Sequence, residues 1–269
     1  MKQRVKKCWS ALLILALAVG ILLPMGAETV EAKDDDPGIQ SENPAGFWYT
    51  VTGDGTLHIN RFPNGWVSSN GGVVEIPSVI DGKTVTELDK DLYVNDITQV
   101  TVPGTIAEIP DYLFRVYNSG NEDLIKVVLK DGVEKIGREA FAQQENLFSV
   151  TLSDALTEIG GSAFQSCNAL TSIDLPDSLT TIGGSAFGST HLTSVTLPNS
   201  VTDVGASAFF NCSRLQSATL SSGMTTIPKR LFQECENLTT VTIPASITKI
   251  EEDAFDGCDS LTTVYYGGT

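Results

Sequence analysis

Four cysteines recur through the second half of the chain: Cys167, Cys212, Cys235 and Cys258. Thiols suggest disulfides or a zinc site, and the spacing argues against both. The last three lie 23 residues apart, so in a repeating fold they are related by translation along an axis. Translated side chains point the same way, whereas a disulfide needs Cβ atoms that approach each other and zinc needs ligands that converge. Buried, inert thiols filling a small apolar slot are the expectation, with Thr190 in the same slot. His58 and His191 are far apart in sequence and sit beside no Ser or Cys in a nucleophile setting. Carboxylates such as Glu158, Asp203, Glu251 and Glu252 scatter instead of pairing. Gly53-Asp54-Gly55 reads as a hairpin turn and lacks the glycine spacing and lysine of a phosphate loop. Asn211-Cys212-Ser213 and Asn237-Leu238-Thr239 match a glycosylation sequon by chance, since the lysine-rich start looks bacterial. The expectation is a non-enzyme with no catalytic residues, cofactor or metal.

The elements that position these residues follow from an internal repeat. Units 147–169, 170–191, 192–214, 215–237 and 238–260 share one pattern, L-x-x-V-x-L-P-x-S-V-T-x-I-G-x-x-A-F-x-x-C-x-x. Each has 23 residues except 170–191, which has 22. Units 124–146 and 97–123 keep the pattern with local departures, a degenerate unit starts near Val73, and a partial one begins at Leu261. Numbering positions from the first Leu, positions 4 and 6 (Val195 and Leu197 in one unit) alternate with polar residues, which is strand spacing. Position 7 is often Pro (Pro103, Pro176, Pro198, Pro244), which ends the strand because it cannot donate to the ladder. Positions 10 and 13 are apolar again, as Val201 and Val204. Position 14 is often Gly (Gly137, Gly160, Gly183, Gly205), suiting a sharp bend. Positions 17 and 18 are Ala-Phe, expected as a short helical turn that points a ring inward. One unit buries too few side chains to offset the entropy of ordering its backbone, so units must stack. About eight strands in one continuous parallel sheet are expected, roughly 40 Å long.

The pattern resembles the BspA-like, or treponemal-type, leucine-rich repeats of bacterial surface proteins over residues 73–266. The resemblance implies an α/β leucine-rich-repeat solenoid, with a parallel sheet on one face and an N-terminal β-hairpin cap. It extends upstream: Phe47-Trp48-Tyr49-Thr50-Val51, a turn at Thr52-Gly53-Asp54-Gly55, and Thr56-Leu57-His58-Ile59 resemble the hairpin that such proteins carry before their repeats. Phe47, Trp48, Leu57 and Phe62 suit capping of the open end; Trp48 and Trp66 could instead form a sugar platform. Relatives often continue past a segment like Val264-Tyr265-Tyr266-Gly267-Gly268-Thr269. The resemblance implies adhesion to host or matrix proteins or to other bacteria.

The first 32 residues differ in character. Lys2, Arg4, Lys6 and Lys7 precede an apolar run from 11 to 23, and small residues follow at Gly26, Ala27 and Ala32. This is the three-part pattern of a secretory signal peptide, expected to be cut after Ala32 or, second, after Ala27. Cys8 precedes the apolar run, which does not suit lipid attachment. The organisation read from sequence is signal peptide 1–32, disordered linker 33–44, β cap 45–72 and solenoid 73–269. Formal net charge is −16, which repels nucleic-acid phosphates and anionic lipid. The expected product is secreted or held at the cell surface, with no membrane insertion after cleavage.

Positions 3 and 5 point away from the core. Thr151, Asp174, Ser194, Thr196, Ser217, Thr219, Thr240 and Thr242 make a hydroxyl-rich strip and form the candidate binding surface. Threonine is also simply a good strand residue. The expected function is interaction with an extracellular protein through this strip. The alternatives are a glycan-binding module, suggested by Trp48, Trp66, Tyr265 and Tyr266, and a structural spacer from a longer protein.

Overall fold

The structure is a computed structural model that describes residues 40–42 (backbone only), 47–61, 71–90, 92, 97–116 and 124–267. The expected signal peptide, Phe62 and Trp66 lie outside the described residues. Three apolar columns per unit turn the chain into a three-sided coil. The columns run through the interior: Leu147, Leu170, Leu192, Leu215 and Leu238 at position 1, and Ile159 and Ile182 at position 13, have no exposed surface.

The first side is the expected parallel sheet, but it is not continuous. Strands β4 (Val73–Glu75), β7 (Gln99–Val102), β9 (Lys126–Leu129) and β11 (Ser149–Thr151) form one four-stranded sheet. Strands β14 (Ser194–Thr196), β16 (Ser217–Thr219), β18 (Thr240–Ile243) and β20 (Thr263–Tyr266) form another. Between them, residues 171–175 of the 22-residue unit form no strand. That unit lacks position 23, so its exit corner from Thr190 to Leu192 is one residue short. Strand pairing in the sheet is lost on both flanks of this unit, although Thr193 N–H still donates to the Thr171 carbonyl across the short corner at 3.0 Å.

The second side is a ladder of two-residue strands at positions 12 and 13. It runs through β8 (Glu108–Ile109), β10 (Lys135–Ile136), β12 (Glu158–Ile159), β13 (Thr181–Ile182) and β15 (Asp203–Val204). It resumes as β17 (Thr226–Ile227) with β19 (Lys249–Ile250). In the unbroken stretch the position-14 amide donates to the preceding unit, as Gly160 N–H does to the Ile136 carbonyl at 2.8 Å. The 215–237 unit carries Pro228 there, which has no N–H to give, and the ladder stops. The position-14 glycines are needed for close approach, not for the bend expected from sequence. A Cβ on Gly183 would lie 2.4 Å from the Gly161 nitrogen, and one on Gly205 2.3 Å from the Gly184 nitrogen.

The third side corrects the expected helical turn. Among the described residues no segment is helical, and no helix is long and apolar enough to cross a membrane. Positions 16 and 20 have positive φ in unit after unit: Ser162 (56°) and Ser166 (60°), Ser185 (55°) and Ser189 (57°), Ser207 (61°) and Asn211 (53°). A left-handed residue every fourth step cannot continue a right-handed helix. What the chain gains is a ladder. The N–H groups of positions 16, 18 and 20 donate to the next unit, as Ser162 to Gly184 O (2.8 Å), Phe164 to Ala186 O (2.8 Å) and Ser166 to Gly188 O (2.9 Å). The alternate N–H groups close turns within the unit. Inside this ladder the position-18 rings Phe114, Phe141, Phe164, Phe187, Phe209, Phe232 and Phe255 stack at 5.3–5.7 Å between centroids, an offset-stacking separation.

The N-terminal end is a five-stranded sheet, larger than the expected hairpin. Strands β2 (Trp48–Val51) and β3 (Leu57–Arg61) form that hairpin. Strand β1 (Gln40–Glu42), inside the segment read as linker, pairs antiparallel with β2. Strand β3 pairs in parallel with β6 (Lys83–Leu88), which folds back on β5 (Val79–Ile80). Asp81 (φ 50°) and Gly82 (φ 78°) make that tight turn, and Tyr49 Oη donates to Asp81 Oδ2 at 3.0 Å. Phe47 and Leu57 are buried, as a cap requires, while Trp48 is half-buried.

Candidate docking face

The thiols fill the slot expected of them and also make hydrogen bonds that the sequence did not reveal. Cys167, Cys212, Cys235 and Cys258 are all free. Each thiol donates to the phenylalanine carbonyl of the preceding unit: Cys167 to Phe141 O (3.2 Å), Cys212 to Phe187 O, Cys235 to Phe209 O and Cys258 to Phe232 O (each 3.1 Å). Gln144 Nε2 does the same to Phe114 O. Thr190 instead donates to Phe187 O of its own unit at 2.8 Å. Position 21 is therefore a column of small donors for a buried acceptor. Burial pushes the Cys167 thiol well above its ordinary range and the half-buried Cys258 up to about 11, so neither is a thiolate near neutral pH.

The other chemically able residues are not brought together. His58 lies on β3 with Nδ1 3.6 Å from Glu87 Oε2, whereas His191 is at the corner after the phenylalanine column. Asp54 caps the β2–β3 turn by accepting from Thr52 Oγ1, Thr56 Oγ1 and Thr56 N–H. The Thr52 hydroxyl, then that of Thr56, holds its carboxyl down at about 2. Glu251 and Glu252 are held low, first by Lys249 and Lys229 respectively. Among the described residues no group of three or more His, Cys, Asp or Glu could hold a metal. Trp48 and Tyr265 sit at opposite ends of the strand order, so they share no sugar platform.

The hydroxyl strip is assembled in part. Register aligns Ser194, Ser217 and Thr240 in one column and Thr196, Thr219 and Thr242 in a second. The second column ends on Tyr265, which is 61 % exposed. Thr151 belongs to the other sheet, and Asp174 lies in the break between them. The strip is thus two panels rather than one. From Gln99 to Tyr265 the outward residues at positions 3 and 5 include only two charges, Lys126 and Asp174, on a chain of net charge −16. Neither makes an ion pair among the described residues.

One feature of this face was missed. Position 2 is polar in most units (Thr98, Thr171, Thr193, Gln216, Thr239, Thr262) but apolar at Ile125 and Phe148. Phe148 is 58 % exposed. Its amide donates to the Ile125 carbonyl at 3.1 Å, and half-buried Ile125 holds the same position in the preceding unit, so the two make an apolar spot just before the strands of the first panel. The departure from the column was visible in the sequence.

The repeat and its geometry agree with comparison to known proteins. Residues 75–168, 107–189 and 134–262 match the family described as the BspA type Leucine rich repeat region, in six copies. The chain belongs to the BspA-type leucine-rich-repeat family. The solved structure of the T. pallidum leucine-rich repeat protein is similar at 30 % identity and TM-score 0.59, covering 80 % of this chain and 88 % of that one. A leucine-rich repeat protein from Bacteroides ovatus is similar at 25 % identity and TM-score 0.59, over 80 % of this chain and 50 % of that one. The pneumococcal vaccine antigen PcpA shares the fold at 20 % identity and TM-score 0.58, over 85 % of this chain and 70 % of that one. No curated protein compared with the chain matches it. BspA-type repeats thus account for the solenoid. Broad solenoid surfaces of this kind suit protein–protein interaction.

Proposed function

We propose that this BspA-type repeat protein is exported and acts in adhesion by docking another protein on its sheet face. The observation that carries the reading is charge segregation: the outward residues of β14, β16 and β18 bear no charge, although the chain carries −16. Such a face can be covered without desolvating ions, while the remaining surface keeps an acidic protein soluble. Export rests on the three-part pattern of residues 1–32. The purified chain is incubated with matrix proteins and bacterial envelopes, in parallel with a triple variant Thr196→Lys, Thr219→Lys, Thr242→Lys. A protein retained by the parent and lost by the variant is the expected result. Retention that ignores these substitutions, or none at all, contradicts the reading.

A second reading, glycan binding, is favoured by the hydroxyl column that ends on exposed Tyr265. A glycan array then gives a signal that Tyr265→Ala removes.

A further inference from the structure

The position-21 column reads Gln144, Cys167, Thr190, Cys212, Cys235, Cys258 from one unit to the next. Three free thiols therefore stand on successive rungs, and the Cys212 and Cys235 thiols lie within hydrogen-bond reach of each other. Thiols related by translation are unsuited to a disulfide, whose sulfurs must close to about 2 Å, and to zinc, which needs four converging ligands. They suit an ion held between two sulfurs. Metal–sulfur bonds of about 2.3 Å, the length in zinc sites, span about 4.6 Å when laid end to end. The rungs of a parallel ladder are about 4.8 Å apart. Ligation by thiolate alone selects soft ions such as Cu(I).

Three features single out the rung between Cys212 and Cys235. First, Thr190 Oγ1 lies 3.4 Å from Cys212 Sγ and can donate to a thiolate there. When it does, the Phe187 carbonyl keeps the Thr190 N–H at 3.2 Å and is not orphaned. The Cys235 thiol, and then Thr190, hold the Cys212 thiol down against its burial, whereas the same contact pushes Cys235 up. Second, Cys258 is half-buried on the next rung and gives an ion a way in. The carboxylates of Asp256, Asp259 and Glu234 act on its sulfur, and they draw a cation toward that end of the column. Third, Cys167 is an internal control. Its neighbours in the column are Gln144 and Thr190, so it has no second thiol to share an ion.

We infer that Cys212 and Cys235 form a two-coordinate site for a soft monovalent metal ion of the Cu(I) class. Binding forms two metal–sulfur bonds, sends both thiol protons to solvent and moves no electron. The Phe209 carbonyl, which accepts from the Cys235 thiol at 3.1 Å, loses that donor. The test is anaerobic titration of the reduced, folded chain with Cu(I) against a competing Cu(I) chelator, with X-ray absorption at the copper edge. One ion per chain is expected, ligated by two sulfurs, with release of about two protons and tighter binding as pH rises. Cys212→Thr or Cys235→Thr weakens binding by more than about a hundredfold, beyond the loss of an outer-shell partner. Thr190 already fills this position in its own unit, and a cooperative urea transition confirms that each threonine variant is folded. Cys167→Thr leaves binding unchanged, and Cys258→Thr slows uptake but keeps one ion per chain. No Cu(I) retained against the chelator overturns the inference. So does ligation by nitrogen or oxygen, or binding that survives Cys212→Thr and Cys235→Thr. Binding abolished by Cys258→Thr places the ion on the half-buried rung and overturns the assignment as well.

Discussion

Two sides of the same coil respond differently to an irregular unit. On the phenylalanine side, three hydrogen bonds cross each interface from the unit of Phe114 to that of Phe255, without interruption. On the sheet side, the ladder is lost at residues 171–175. Both sides pass through the same 22-residue unit. The difference lies in what holds each side. The phenylalanine column combines buried rings at 5.3–5.7 Å, a backbone ladder and the position-21 donors. The sheet is held by backbone bonds and the packing of one face only. In the irregular unit the side with fewer restraints is the one that is open. An open sheet edge beside an exposed ring is then available for recognition.

The largest way to break this comparison is to remove a ring from the unbroken side. Phe187→Ala creates a cavity in the middle of the column and is expected to cost about 3–5 kcal/mol in urea unfolding. Phe255→Ala, at the end of the column and only partly buried, costs clearly less. Equal losses would mean that the column is not the restraint.

The donor column comes next. Cys235→Val keeps volume but removes the donor to Phe209 O, and is expected to cost about 1–3 kcal/mol. Cys235→Thr keeps a donor in the slot and costs less. In the parent protein, alkylation of Cys167 and Cys258 at pH 8 is slow until the chain unfolds, because both thiols are raised.

A smaller effect sharpens the sheet side. Inserting one Asn after His191 returns that unit to 23 residues and is expected to close the break. Amides of residues 172–175 then gain protection from hydrogen exchange, while that of Phe187 is unchanged.

The smallest effect lies in the cap. The carboxyl of Asp54 is lowered on folding, so its contribution is present above the ordinary value of 3.8 and lost as pH falls through about 2. Amides of the β2–β3 turn therefore lose protection between about pH 4 and pH 2, and Asp54→Asn removes that pH dependence.

The columns of Leu, Ile and Ala-Phe made the solenoid legible in the sequence, because burial demands the same residue at each recurrence. The left-handed positions were not legible. Ser162, Glu139 and Arg230 share a backbone conformation but no chemistry, and Ala-Phe suits a helix locally. The role of the position-14 glycines was misread because close approach depends on the neighbouring coil, not on the local turn. For the candidate site, the hydroxyl columns were legible from residue alternation. Their division into panels was not, although the unit that divides them is the one of 22 residues. A missing residue or N–H acts on the neighbouring unit, and only the stack shows which side gives way.

The central claim is that one side of the coil is continuous and the opposite sheet is open at its middle. Residue-resolved hydrogen exchange of the native protein tests it most directly. Amides of Phe141, Phe164 and Phe187 should exchange only through global unfolding, and those of Ile173 and Asp174 within the fastest class of the solenoid. Protection at Ile173 and Asp174 equal to that of Val195 and Val150 would contradict it.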